Sequence, residues 1–254
     1  MNYPVDKSGV PIINRSEIER RAIKFLEYFR EDCLKHPQMA PLGTICKSLS
    51  DEHGVKFIYQ ADLGSTPQGY KYRGRFHLPT TTIYIDKSLE PFSPRFNFTL
   101  AHELGHFVFH RKLDLSNILK NEDIVDTSRD LILDQMDENN PRTWLEWQAN
   151  KFASSLLMPA HPLKTAVISK QMELGITRNR GKIYLSRSKN SYSDYNQQID
   201  HLIEIFQTSK SSLRLRLKEL FILNEPEVTN TDTSKPKKLN QHMASVLKKW
   251  EENV

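Results

Sequence analysis

The sequence predicts an α+β fold in which a short sheet leads directly into one long, apolar helix. Two amphipathic helical segments come first along the chain, three strand-like runs follow, and a helix then begins at Ser93 and Pro94. A serine can cap the free N–H groups of a first turn, and a proline at the first helical position has no N–H to leave unsatisfied. This order of elements places the sheet immediately before the apolar helix.

The two N-terminal helices are predicted from their caps and from their apolar faces. Ser16 and Glu19 have the spacing of a capping box, which opens the first helix. A second helix is expected from Leu42 to about Asp51, with Gly54 near its end. The apolar face of the first helix consists of Ile18, Ala22, Phe25, Leu26 and Phe29.

Three strands are predicted after these helices, because β-branched and aromatic residues are concentrated in three short runs. The runs are residues 55–59, 69–76 and 80–86, and the last two are joined by a short turn at Leu78 and Pro79. The sheet ends just before the helix that starts at Ser93.

This helix contains His102, Glu103 and His106 in the order H-E-x-x-H. Because four residues are about one helical turn, the two histidines project side by side and can hold one metal ion, with Glu103 next to them. A catalytic zinc ion takes three protein ligands and lowers the pKa of water at the remaining position. Glu103 is placed to take a proton from that water and to pass it to a leaving amine. The motif therefore indicates a metallopeptidase, provided that a third ligand exists.

The best candidate for the third ligand lies in residues 144–159, WLEWQANKFASSLLMP, where apolar residues recur at helical spacing. Glu146 could supply a carboxylate, and Asn150, one turn later, could orient the ring of one histidine through its outer N–H. His110, Asp114 and Asp134 are the alternatives. Three histidines on successive turns spread over about 12 Å, which favours a supporting or packing role for His110.

The sequence TLAHELGH followed by E-x-x-A-N-x-F-A-x-x-L-L-M-P resembles the ImmA/IrrE family of bacterial zinc metallopeptidases, with weaker similarity from about Ile18 to Leu223. The resemblance implies a small gluzincin-like fold with one zinc ion per chain. It further implies that His102, His106 and Glu146 are the zinc ligands. Glu103 would be the catalytic acid and base. Members of this family typically cleave a partner helix-turn-helix repressor and so derepress genes of a mobile element or a stress response.

We expect three regions along the chain: a zincin-like peptidase domain (1–172), a helical segment (173–224), and a linker with an amphipathic tail helix (225–254). Within the second region, residues 199–223 resemble a helix-turn-helix, with Arg214, Arg216 and Lys218 on the second helix. Few base-contacting side chains stand early in that helix, which favours a helix pair packed on the core. We therefore expect the binding partner to be a protein rather than a nucleic acid.

Composition and the N-terminal sequence indicate a cytoplasmic protein. The chain is 38% hydrophobic with a mean hydropathy of −0.58, and no run is long enough to span a membrane. The first residues lack the basic start and apolar stretch of a signal peptide. Cys33 and Cys46 have no metal-binding spacing and are interpreted as unpaired thiols in a reducing compartment.

Substrate binding is predicted to involve a sheet edge and the segments around the second motif. Residues 80–86 are our candidate edge strand for main-chain pairing with an extended peptide, an interior position being the alternative. Residues 112–143 form a long acidic connection, and residues 178–197 a polar hairpin or loop; either could select the substrate. Five residues are candidate oxyanion donors, among which the sequence does not choose: Tyr70, Tyr72, His77, Tyr84 and His161.

The sequence is also compatible with a second function. The protein could be a regulator that binds DNA or a repressor through its C-terminal helices and uses the zinc fold as a scaffold, without proteolysis. Glu103 favours the enzyme, because a purely structural zinc site has no need of a general base.

Overall fold

The structure is a computed structural model that describes residues 5, 9–116, 118–119, 123–127, 140–185 and 189–225 of the 254 residues. The chain up to Asn224 is one compact unit. The α+β class is confirmed. Within the described ranges the helices are α1 (Arg15–Arg30), α2 (Asp32–Lys35), α3 (Leu42–His53), α4 (Pro94–His110), α5 (Pro141–Leu157), α6 (Ala160–Glu173), α7 (Lys189–Phe206) and α8 (Lys210–Glu219). The strands are β1 (Lys56–Ala61), β2 (Tyr72–His77), β3 (Thr82–Asp86), β4 (Asp123–Thr127), β5 (Ile183–Tyr184) and β6 (Leu223–Asn224).

The first helix starts one residue before the expected cap. Asn14 is the N-cap of α1, and its side chain accepts a hydrogen bond from the N–H of Glu17 at 2.8 Å. The predicted capping role of Ser16 is therefore wrong, because asparagine caps as well as serine and stands two positions earlier. The end of α3 agrees with the prediction, since Gly54 follows it with a left-handed φ of 66°.

The four-stranded sheet has the order β1-β3-β2-β4. β3 is parallel to β1 and antiparallel to β2, and β4 is antiparallel to β2. Residues 80–86 were our candidate edge strand, but the alternative, an interior position, is the correct one, because β3 lies between β1 and β2. Four of its five residues are buried, as an interior strand requires. β3 is interior because it pairs with β1, which is far away in the sequence, and no local sequence pattern reveals such a pairing.

The helices that carry the two motifs pack closely against each other. Ser93 caps α4 as predicted, accepting from the N–H of Phe96 at 3.2 Å. A methyl group on Gly105 of α4 would lie 2.9 Å from the Cα of Ala149 in α5. Only a glycine lets the two backbones approach this closely. This contact fixes the spacing of the side chains that α4 and α5 present to each other.

The C-terminal region contains two helices, α7 and α8, joined by a short turn. The predicted loop at residues 178–197 is wrong over its second half, because α7 begins at Lys189. The helix predicted from Ile199, with Leu202 and Phe206 inward, thus begins ten residues earlier, and its buried apolar stripe also includes Tyr195, which polar serines and asparagines surround in the sequence. The resemblance to a helix-turn-helix is not confirmed.

Arg216 of α8 is part of the protein interior and does not face a nucleic acid. Its side chain is 1% exposed and donates two hydrogen bonds to the carboxylate of Glu19, at 2.6 and 2.7 Å. Its Nε also donates to the carbonyl of Met158 at 3.0 Å.

The two cysteines are free and buried, as predicted. No helix in the described part of the chain is long and apolar enough to cross a membrane. The linker and tail helix predicted after Glu225, and the helical pattern at residues 130–136, lie outside the described residues.

Candidate metal centre

Four buried side chains from three elements converge at one point. They are His102 and His106 of α4, Asp126 of β4 and Glu146 of α5, and one potential ligand atom of each lies within 4.8 Å of all the others. The Nε2 atoms of the two histidines are 2.9 Å apart. An oxygen of Glu146 lies 3.2 Å from the Nε2 of His102 and 3.6 Å from that of His106. The structure thus brings together the three residues that were predicted as zinc ligands.

Asp126 is the member of the cluster that sequence reasoning missed. Its carboxylate is fully buried, with one oxygen 3.0 Å from the Nε2 of His102 and 3.6 Å from that of His106. In the structure Ile124 and Asp126 are buried and alternate with more exposed residues, but in the sequence the apolar Val125 between them breaks this alternation. Many other acidic residues in the same segment also concealed Asp126.

The alternative ligands do not join the cluster. Asp114 is exposed, and its carboxylate accepts a hydrogen bond from the N–H of Ser116 at 3.1 Å. Asp134 lies outside the described residues. His110 is buried behind His106, and His77, one of the candidate oxyanion donors, instead pairs with Asp123 at 2.8 Å.

Glu103 lies between α4 and the sheet, against a glycine of β2. It is fully buried, and a methyl group on Gly74 would lie 1.9 Å from its Oε1 atom. Only a residue without a side chain at position 74 leaves room for this carboxylate. Burial holds the pKa of Glu103 well above its usual range, and the negative charges of Asp126 and Glu146 raise it further. A carboxylate in this setting takes up a proton readily.

The ring of His102 is oriented by the side chain predicted for that role. Its Nδ1 lies 2.8 Å from the Oδ1 of Asn150, one turn after Glu146 on α5. An amide oxygen can only accept, so the Nδ1 of His102 carries the proton and donates it. Its Nε2 consequently faces the cluster and is the atom that would bind a metal ion.

The ring of His106 is oriented by a longer chain of hydrogen bonds. Its Nδ1 lies 2.8 Å from the Nδ1 of His110, and the Nε2 of His110 lies 3.0 Å from the Oε1 of Gln148. The amide nitrogen of Gln148 donates in turn to the carbonyl of Pro11 at 2.6 Å. One proton arrangement satisfies every bond: His106 donates to a neutral His110, which donates to Gln148. Burial and the nearby His106 lower the pKa of His110 well below its usual range, which keeps it neutral.

The donor set fits a divalent metal ion. Both oxygens of each of Glu103, Asp126 and Glu146 are buried without a hydrogen-bond partner among the described residues. Three carboxylates buried this close together repel one another, and a buried charge that lacks a partner costs about 3–5 kcal/mol. Burial disfavours a charge on His102, yet the carboxylates of Asp126 and Glu146 raise its pKa to about 10. Positive charge is therefore favoured at this point, and imidazole with carboxylate donors suits zinc.

Comparisons with known proteins identify the part of the chain that carries this cluster. Residues 51–172 match the model of the IrrE N-terminal-like domain of the peptidase M78 family. No curated protein sequence is significantly similar to the chain. Among solved structures, a Mycobacterium tuberculosis transcriptional regulator is similar at 15% identity with a TM-score of 0.47, over 80% of this chain and 46% of that one. This chain thus spans less than half the length of that structure.

Proposed function

We propose that the protein is a zinc-dependent endopeptidase that cleaves a partner transcriptional repressor, since residues 51–172 match the IrrE N-terminal-like domain of the peptidase M78 family. The observation that supports this proposal best is the position of Glu103. This carboxylate is buried beside His102, His106 and Glu146, where a purely structural metal site would have no use for it.

We assign the roles of metal ligands to His102, His106 and Glu146. A zinc ion held by them would polarise a peptide carbonyl and lower the pKa of water, which makes water an effective nucleophile at neutral pH. The two imidazoles keep their Nε2 lone pairs directed at one point because their Nδ1 protons are donated to Asn150 and His110.

We assign the role of general base and then general acid to Glu103. Its raised pKa favours the uptake of a proton, as the role of a group that accepts a proton and then returns it requires. Gly74 and the sheet behind it hold the carboxylate in a fixed position, so that little motion is needed for the proton transfer.

The proposed substrate is a helix-turn-helix repressor encoded nearby, and its cleavage would derepress genes of a mobile element or a stress response. This assignment follows from the family resemblance. It places the enzyme in the cytoplasm, with its substrate. Contact with nucleic acid finds little support, because Arg216 of the candidate reading helix is engaged with Glu19.

The test compares the wild type with Glu103→Gln. Each zinc-loaded protein is incubated with the repressor encoded next to its gene, and the products are identified by intact-mass spectrometry. Glutamine keeps the size of the side chain but cannot accept the proton, so we expect equal zinc content and a loss of cleavage of at least about 100-fold. Glu90→Gln, at an exposed glutamate, is the matched control and should cleave like the wild type.

The outcomes separate the two candidate functions. Cleavage by Glu103→Gln at the wild-type rate would refute the proposed mechanism. If neither protein cleaves the repressor but both still relieve repression in cells, the protein is a regulator that uses the zinc fold as a scaffold.

A further inference from the structure

The position of β4 in the sheet coincides with the place where a peptide substrate would pair. β2 lies directly against the proposed catalytic carboxylate, because its residue Gly74 makes room for Glu103. One edge of β2 is paired with β3, and the other is paired with β4. An extended peptide one strand further out would lie about 4.8 Å further from Glu103. The edge of β2 that faces β4 is therefore where a scissile bond would have to lie.

The register between these strands places Asp126 at the centre of the site. Asp126 is the cross-strand partner of Gly74, so the two residues lie on the same face of the sheet, toward Glu103. The Asp126 carboxylate lies 3.0 Å from the Nε2 of His102 and 3.6 Å from that of His106. It therefore points at the metal position.

The number of donors is one more than a catalytic zinc site uses. Structural zinc sites are closed by four protein ligands, whereas catalytic sites use three and leave one position open. His102, His106 and Glu146 supply three donors, and Asp126 supplies the fourth. With all four bound, no position remains for water or for a substrate carbonyl.

We propose that β4 is an internal plug: it pairs with β2 in place of the substrate, while Asp126 fills the position that catalysis needs open. This inference rests on the proposed peptidase function and adds its regulation. The resting protein is latent, and an extended segment of the substrate protein displaces β4 from the edge of β2. Selectivity follows, because only a partner that competes with β4 gains access to the metal.

Two polar contacts hold β4 against its neighbours. A third, apolar contact determines which side chain a substrate must carry to replace β4. The guanidinium of Arg142, on α5, donates to the carbonyl of Val125 and lies 3.5 Å from the ligand carboxylate of Glu146. At the other end of β4, Asp123 pairs with His77. Ile124 is fully buried opposite Phe76, so a peptide that replaces β4 must present an apolar side chain two residues before the one that takes the place of Asp126.

Binding of acetohydroxamate to the cobalt(II)-loaded protein tests the plug without any peptide substrate. Cobalt(II) replaces zinc in such sites and reports on its ligands through visible absorption. We expect Asp126→Ala to bind one cobalt ion and to bind acetohydroxamate at least about 10-fold more tightly than the wild type, a change of about 1.4 kcal/mol. Asp114→Ala removes an exposed aspartate from the same connecting segment and should behave like the wild type. Asp126→Asn keeps the shape of the side chain, and it decides the result if the alanine variant does not fold.

Three results are decisive. Equal hydroxamate affinity in the wild type and in both Asp126 variants would overturn the plug while leaving the proposed peptidase intact. Loss of cobalt from both variants would overturn it as well, since Asp126 would then be a permanent ligand. Failure of the wild type to bind cobalt would instead refute the metal site, and with it the proposed function.

Discussion

Replacing Gly105 by alanine should weaken zinc binding through helix spacing alone. The new methyl group would lie 2.9 Å from the Cα of Ala149, 3.1 Å from its carbonyl oxygen and 3.3 Å from its Cβ. Favourable carbon contacts begin at about 3.5 Å, so α4 and α5 must separate by about 0.6 Å at this point. The two helices carry the histidines and Glu146 respectively, and metal sites tolerate errors of only about 0.2 Å in their bonds.

The magnitude follows from these distances. We expect Gly105→Ala to lose about 10-fold to 100-fold in zinc affinity, comparable to losing a group that orients a ligand. Overpacking should also lower the free energy of unfolding of the metal-free protein by about 1–3 kcal/mol. Zinc affinity is measured by competition with a chromophoric chelator, and stability by urea unfolding followed by circular dichroism.

Gly43→Ala is the matched control. It also lies within a helix, but nothing stands within 4 Å of its added methyl group. It should keep wild-type zinc affinity and gain about 0.4–1 kcal/mol of stability, because alanine restricts the unfolded chain. Wild-type zinc affinity in Gly105→Ala would refute the argument that contact between α4 and α5 sets the ligand spacing.

Five further outcomes are expected. Glu146→Ala should lose most of its zinc, as measured by metal analysis after gel filtration, whereas Asn150→Ala should keep zinc with an affinity lowered about 10-fold to 100-fold. Arg216→Ala should lose about 3–5 kcal/mol of stability in urea, because Glu19 is left without its buried partner; a loss below about 1 kcal/mol would contradict this role. Burial raises the pKa of the Cys46 thiol to about 12, so at pH 8 only about one thiol in 10⁴ is ionised and iodoacetamide should label it only after unfolding. The zinc-loaded wild type should leave casein largely intact over hours, and rapid digestion of casein would contradict a latent resting state.

The parts of the site that lie on α4 and α5 could be predicted from sequence because their geometry is local. A spacing of four residues places His102 beside His106, and the same spacing places Glu146 beside Asn150, whatever the rest of the chain does. The cap of α4 at Ser93 was found for the same reason. These features need only the helical period and the chemistry of the side chains.

The parts that could not be predicted depend on contacts between distant segments. Asp126 reaches the histidines only because β4 pairs with β2 in a register that opposes it to Gly74. The interior position of β3 depends in the same way on its pairing with β1. Neither strand carries a signal of its neighbour, since the alternation of a strand reports its two faces and says nothing of its edges.

The hydrogen-bond chain behind His106 shows the same limit. Gln148 stands within the second motif, but its partners are a histidine of α4 and the carbonyl of Pro11, far away along the chain. The prediction of a loop over the second half of residues 178–197 was wrong for a different reason. The polar composition of that half outweighed the buried stripe on α7, although Tyr195 and Ile199 already have helical spacing.

Anomalous diffraction at the zinc edge, from crystals grown with one equivalent of zinc, locates the metal ion directly. We expect one strong peak per chain, about 2.0–2.2 Å from the Nε2 atoms of His102 and His106 and from a carboxylate oxygen of Glu146. A peak elsewhere on the chain, or none at this point, would contradict the assignment of the metal site and of the peptidase built on it.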